Sequence, residues 1–248
     1  ASDWSSDVCS SDLKAWSTYG GRVGVWRLMR MLKTLGLPAT FYVNARCTEQ
    51  YPDAVKEIAK QGFDIAAHSY TQDDLPSYKT LEEQRALIRQ SIDLLEGCTG
   101  KKVTGWGSPV VAFTPETAGF LKEAGLRWTC DVTYSDLPIK INTPHGPIAG
   151  VPTTDFSDNR VLRASSRDLY DVHRGTFDYL RKHESIGLQT LVIHTQFGGR
   201  PLITAVLMEL LQYMKKSGDA WFTTHEQLAD WTLKQDVDDH TYRSRYFA

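Results

Sequence analysis

The stretch Gly62-Phe63-Asp64-Ile65-Ala66-Ala67-His68-Ser69-Tyr70-Thr71-Gln72 opens on a glycine, runs through a short apolar strand and ends on a histidine. Residues Phe63 to Ala67 are too few for a helix and are bounded by turn formers, which predicts a buried strand. In a parallel α/β domain the side chains at carboxyl ends of strands surround the ligand crevice. A histidine at that place can bind a metal or move a proton near neutral pH. Four residues on, where a second histidine would complete a metal pair, the chain carries Gln72.

Outward from this strand the pattern alternates. Val25, Leu28, Met29, Leu32 and Leu35 recur at helical spacing, and Gly36 and Pro38 stop that helix. Thr40 to Val43 reads as a strand and Pro52 to Lys60 as a helix. Thr80 and Glu83 have the spacing of a capping box at the head of a long helix. Val103–Trp106, Arg127–Val132, Ile148–Val151, Gln189–Ile193 and Ala220–Thr223 are further predicted strands. Thr114-Pro115-Glu116 marks a helix start, and helices are predicted over Leu169–Lys182, Leu202–Lys216 and onward from His225, capped by Thr224. About seven strands alternating with helices imply an α/β fold with a parallel sheet, closed or nearly closed as a barrel.

The 248 residues are 41% hydrophobic and 23% charged, enough for a full core in one domain. A net charge of −2 and a pI near 6.4 give no electrostatic case for nucleic acid or anionic membrane. The absence of GxGxxG and P-loop patterns leaves nucleotide binding unsupported. Cys9, Cys47, Cys98 and Cys130 are scattered, with neither zinc-knuckle spacing nor a disulfide framework. Ser6 to Leu13 looks like a translated sequencing adapter, so residues 1–13 are set apart as non-native and 14–248 as the domain. Asp3, Asp7 and Asp12 are accordingly not recruited as catalytic carboxylates. The chain opens with a helix where a βα repeat would begin with a strand, so that first strand is expected to be missing or replaced. With no targeting segment to read, a cytoplasmic location is the default expectation.

His68, Gly107-Ser108-Pro109, Thr133 to Asp136, Thr153 to Asp155 and His194 all fall at predicted strand ends. Two histidines and two carboxylates on one rim would make a hydrolytic site. The bottom-up alternative for each is plainer: a strand-end histidine that makes a structural hydrogen bond, or a tryptophan that packs in the core. His145, in a Pro/Gly loop, and His173, at a helix start, are expected to face solvent.

Ala39-Thr-Phe-Tyr-Val43, Ile58 to Ser69, Gly105-Trp-Gly-Ser-Pro109, Asp136-Leu-Pro138 and Leu191-Val-Ile-His194 occur in the order found in the polysaccharide deacetylase (NodB-homology) superfamily, which the chain resembles from Trp16 to Trp231. Tyr19 to Arg27 is similar to its allantoinase-like branch, which also holds peptidoglycan deacetylase-like proteins. The resemblance implies a distorted (β/α)7 barrel hydrolysing a non-peptide C–N bond. In its metal-dependent members an aspartate pair on the first strand gives a base and a ligand, two histidines complete the metal site, an arginine orients a carboxylate, and a late histidine is the general acid.

By this resemblance His68 matches the first metal histidine, Gln72 the second, and His194 the general acid, while Asp136 matches an acidic motif of the allantoinase-like branch. Gly107 stands where the arginine belongs. Trp106, Ser108, Pro109 and Arg200 are the implied substrate-binding residues. A divalent, zinc-like metal is implied for the intact protein, but a neutral amide is a poor zinc ligand beside imidazole, so this chain is not expected to hold one fully. The expected activity is N-deacetylation of an amino-sugar substrate. Its alternatives are a metal-independent, allantoinase-like opening of a cyclic amide or ureide, and a ligand-binding descendant without catalysis. The expected partners are a glycan or small-molecule substrate and, by analogy, further copies of the chain, with neither nucleic acid nor membrane.

Overall fold

A computed structural model of the chain describes residues 18–154, 156–162 and 165–235. The segment read as adapter-like, the place of the expected first strand, and Asp155 lie outside the described residues. Within them the fold is mixed α/β, built on a six-stranded sheet in the order β1-β2-β3-β4-β6-β5. Contacts group the chain into two compact units, one drawn from Ala1–Gly36 and Asp155–Ala220, the other from Leu37–Thr154 and Trp221–Ala248.

In the first unit, a single π-helical turn, Gly20–Gly24, leads into α1, Val25–Leu35. Gly36 ends that helix in the left-handed conformation, φ 65°, as the glycine predicted. The second unit carries β1, Thr40–Val43, followed by α2, Cys47–Gln50, and α3, Pro52–Lys60. Next come β2, Asp64–Ala67, and α4, Leu81–Thr99, which begins with the Thr80/Glu83 capping box. Strand β3, Gly105–Trp106, precedes α5, Thr117–Glu123. Strands β4, Trp128–Val132, β5, Ile139–Ile141, and β6, Ile148–Pro152, complete the sheet. The chain returns to the first unit for α6, Asp158–Val161, α7, Arg167–His183, α8, Thr195–Gly198, and α9, Pro201–Lys216. It ends, as described, with α10, His225–Lys234, capped by Thr224 and Gln227.

Strands β1, β2, β3, β4 and β6 run parallel, and β5 lies antiparallel on the edge beside β6. The register pairs Ala67 with Trp106, and Trp106 with Thr129. Because the strands are parallel, this pairing brings His68, Gly107 and the end of β4 together at one edge. Ile65, Ala66, Trp106, Trp128, Ile148 and Val151 are buried, as apolar residues flanked on both faces should be. In the other unit Leu28, Met29, Leu169, Phe177, Leu207 and Leu210 form the buried faces of α1, α7 and α9.

Three expectations are corrected. Gln189–Ile193 and Ala220–Thr223 are not strands, because neither finds a ladder neighbour among the described residues; the Val192 carbonyl instead accepts the Asp158 N–H at 3.1 Å. The antiparallel edge strand Ile139–Ile141 was not foreseen, since three residues are too short for a period to show. His173 is not exposed but 1% accessible, on the inner face of α7, and burial pushes its pKa down.

Candidate functional site

In the first unit the late histidine is built into a carboxylate cradle. His194 caps α8, and its Nδ1 lies 2.6 Å from Asp158 Oδ1. The other oxygen, Oδ2, accepts the backbone N–H groups of His194 at 2.9 Å and Gly198 at 3.0 Å, while Oδ1 also accepts Asn159 N–H at 2.8 Å. Four donors satisfy a carboxylate that is wholly enclosed, whereas the His194 side chain keeps 37% of its surface in solvent. Gly198 is needed here: a Cβ would run into Ile193 and come within 3.2 Å of Asp158 Oδ2. A carboxylate accepts only, so Nδ1 carries a hydrogen and the accessible ring edge bears Nε2. That is the arrangement of an oriented acid–base imidazole.

The same unit shows what the opening glycines do. A Cβ on Gly24 would collide with the Thr195 carbonyl oxygen, and one on Gly20 with the Thr195 hydroxyl. The π-turn can therefore press directly against α8. Arg27 reaches across to the Gly199 carbonyl and, at 2.6 Å, to the Tyr19 hydroxyl. Arg200 lies over the Tyr19 ring, 3.7 Å from its centroid, and its Nε donates to the Gln196 carbonyl at 3.2 Å. Arg200 is half-buried and tied to this turn.

In the second unit His68 is half-buried at the end of β2, and its Nδ1 lies 2.7 Å from the Gly107 carbonyl. Asn44 donates to the His68 carbonyl. Ser108 donates its N–H to Asp131 Oδ1 and its hydroxyl to Asp131 Oδ2, both at 2.7 Å, and accepts the Trp106 indole N–H at 3.0 Å. Asp131 is only 5% exposed; burial pushes its carboxyl up to about 6 against the opposing effect of the Ser108 bonds. The loop beyond is strained. Val110 and Val111 have φ of 48° and 57°, a region in which β-branched residues are outliers, and Ser69 beside His68 has φ 61°.

Behind His68 the place assigned to an arginine is filled. A Cβ on Gly107 would come within 2.7 Å of Cys130 Sγ and 2.8 Å of the Tyr42 ring. Tyr42 stands edge-on to His68, Trp128 and His225, with centroids 6.0, 5.9 and 5.6 Å away, and its hydroxyl meets His225 Nδ1. Burial pushes Tyr42 and Cys130 up and His225 down to about 4, so this cluster stays uncharged at neutral pH.

Trp106 and Trp128 are fully enclosed, Ser108 is 3% exposed and Pro109 is buried, so these residues pack in the core, and Trp106, Ser108 and Pro109 shape the loop from within it. Asp136 is exposed on the loop between β4 and β5. Gln72 and Asp73 are exposed, in the turn that follows the half-buried His68. Sequence reasoning missed Asp158 and Asp131. Asp131 could have been noticed as a carboxylate inside the apolar run of β4; Asp158, on a four-residue helix, left no periodic signal.

The family model for polysaccharide deacetylases matches residues 18–129. The chain is similar to the polysaccharide deacetylase (NodB-homology) superfamily, and residues 18–129 carry the family pattern. Enzymes of this superfamily are hydrolases of carbon–nitrogen bonds other than peptide bonds. A peptidoglycan deacetylase of Helicobacter pylori is 21% identical over 253 residues, covering 88% of this chain and 86% of its own. The crystal structure of PuuE allantoinase superposes with a TM-score of 0.83 at 25% identity, over 92% of this chain and 78% of that one. A "probable polysaccharide deacetylase" of Pseudomonas aeruginosa gives a TM-score of 0.82 at 24% identity, over 93% and 80%.

Deacetylases of this superfamily generally use a divalent metal. The donors near His68 do not fit one. Its neighbour in the motif is an exposed neutral amide, and among the described residues no group of three or more His, Cys, Asp or Glu is disposed to hold a metal ion.

Proposed function

We propose that the chain hydrolyses a non-peptide amide, with N-acetyl groups of an amino-sugar polymer as the substrate class. His194 is the proton carrier and Asp158 its anchor. Water adds to the carbonyl carbon while its proton passes to His194 Nε2. The C–N bond then breaks as the same Nε2 returns the proton to the leaving nitrogen, giving a carboxylic acid and an amine. Asp158 stabilises the imidazolium formed between these events and keeps the ring from turning. The observation that carries this reading is an enclosed carboxylate, saturated with donors, holding a histidine whose far edge is open to solvent. Asp136, exposed on its loop, is the second catalytic candidate, and Arg200 the candidate for gripping the substrate; Ser108 and Pro109 act by shaping the loop after β3. The test is acetate release from N-acetylated peptidoglycan fragments. Turnover by the natural chain, abolished in His194→Ala with its circular dichroism spectrum retained, is the expected result; turnover undiminished in that variant would overturn the assignment.

The donor set at His68 favours one second reading, the opening of a cyclic amide or ureide without metal. It predicts turnover of ring substrates that is indifferent to chelators, with acetylated glycans untouched.

A further inference from the structure

Between Thr18 and Thr48 the sequence carries Arg22, Arg27, Arg30, Lys33 and Arg46 and no acidic residue, an excess that the net charge of −2 conceals. The fold sorts these cations. Arg27 turns inward to the Gly199 carbonyl and the Tyr19 hydroxyl. Arg22 and Arg30 do not: with Val23 and Trp26 they lie on the exposed side of the π-turn and α1, whose other side buries Val25, Leu28 and Met29. Steps of four residues put Arg22, Trp26 and Arg30 in one row, the indole between two guanidinium groups. Elsewhere such charge is neutralised in place: Arg85, Arg127, Arg167, Arg174 and Arg181 each have a carboxylate partner. Among the described residues Arg22 and Arg30 have none. Trp26 keeps 40% of its surface in solvent.

We infer that this row is a docking face for a glycan strand that bears carboxylates. An indole offers a flat apolar surface to the C–H face of a pyranose ring, and a guanidinium grips a carboxylate through two parallel N–H···O bonds. A neutral glycan would use the indole and leave both arginines idle. A bilayer needs a wide apolar helix face, and that of α1 is turned into the core. The overall negative charge opposes a long polyphosphate such as nucleic acid. The face also adjoins the proposed site. Gly20 and Gly24, on the turn that begins the row, are packed so closely on Thr195 that neither could carry a Cβ, and Thr195 follows His194. A polymer gripped along the row is therefore held beside the turn that carries the proton carrier. The choice of a glycan rests on the amide-hydrolase reading above; the exposed, unpaired row does not.

The test is co-sedimentation of the full chain with purified peptidoglycan sacculi at low and high salt, with chitin as the neutral N-acetylated polymer. Wild type is expected to pellet with sacculi, less so at high salt, and to bind chitin more weakly. Arg22→Ser with Arg30→Ser should weaken binding to sacculi by roughly tenfold and leave binding to chitin as it was. Trp26→Ala should weaken both by about threefold to tenfold. Arg22→Lys with Arg30→Lys keeps the charge and loses the fork, so it should fall between wild type and the double serine variant. Wild type that ignores sacculi, or binds them no better than chitin, would overturn the proposal, as would a double serine variant that pellets like wild type. So would tighter binding to phosphatidylglycerol vesicles or single-stranded DNA than to sacculi. A changed oligomeric state in the double serine variant would make the row a contact between copies and overturn it too. Should Trp26→Ala not fold, the arginine pair decides. Binding is read apart from turnover. A chain that pellets but releases no acetate loses the hydrolase reading and keeps this one; a chain that releases acetate while its variants pellet like wild type loses this one alone.

Discussion

His194 and Asp158 stand 36 positions apart in sequence and 2.6 Å apart in space, the histidine half in solvent and the carboxylate sealed behind it. The two substitutions should therefore separate. His194→Ala removes a proton carrier from an accessible position: kcat is expected to fall by about 10²–10⁴, with stability nearly unchanged. Asp158→Ala strips four donors of their acceptor in a closed site. A loss of about 3–5 kcal/mol in urea unfolding is expected, with activity lost alongside. Equal stability losses in the two variants would contradict the division of roles.

Val110 and Val111 should be poor choices for their own backbone. Each sits at positive φ, where a branched Cβ costs on the order of 1–3 kcal/mol, while glycine gives back roughly 0.5–1 kcal/mol in chain entropy. Val110, 69% exposed, loses little packing on truncation. Val110→Gly is expected to raise the urea midpoint, by about 1 kcal/mol of stability, and the same change at Val111 to act in the same direction. A lower midpoint in Val110→Gly would mean that its side chain contributes more than its backbone costs.

The sheet was legible because Phe63–Ala67, Arg127–Val132 and Ile148–Val151 are apolar runs punctuated by glycine and charge, and such runs are strands almost wherever the chain is parallel. Caps at Thr80 and Thr224 were legible for a similar reason, since capping is local chemistry. Gln189–Ile193 has an equally good strand composition, but a strand also needs a neighbour, and composition does not say whether one is there. The site divided along the same line. His68 and His194 could be found because they end strand-like runs. Asp158 and Asp131 could not, because their role is defined by partners 36 and 23 positions away.

Zinc should leave the thermal unfolding of this chain where it is. His68 is anchored on Gly107, but the position four residues on is an exposed glutamine. A ligand in about hundredfold excess over its Kd adds about 2.7 kcal/mol of stability, an effect that scanning calorimetry resolves easily. Wild type with zinc and wild type with EDTA are expected to melt together. A zinc-dependent rise that disappears in His68→Ala would show that residues outside those described complete a metal site.

Asp131 should make the protein more stable as the pH falls towards 5, against the usual trend of acid destabilisation. Burial raises its folded-state carboxyl to about 6, above the unfolded value near 3.9. Between these two values the folded chain binds a proton that the unfolded chain does not, so stability declines as pH rises through the interval. The stabilisation is complete below about 4 and lost above about 6, with an amplitude of about 2–3 kcal/mol. Asp64, also pushed up to about 6 by burial, slopes the same way. His225 and His173, pushed down by burial, slope the other way, so the readout is the difference between the two proteins: Asp131→Asn should gain about 2–3 kcal/mol on wild type between pH 4.5 and 7.5 in urea unfolding. An unchanged slope would mean that the Ser108 N–H and hydroxyl, each at 2.7 Å, outweigh burial and keep the carboxylate ionised throughout.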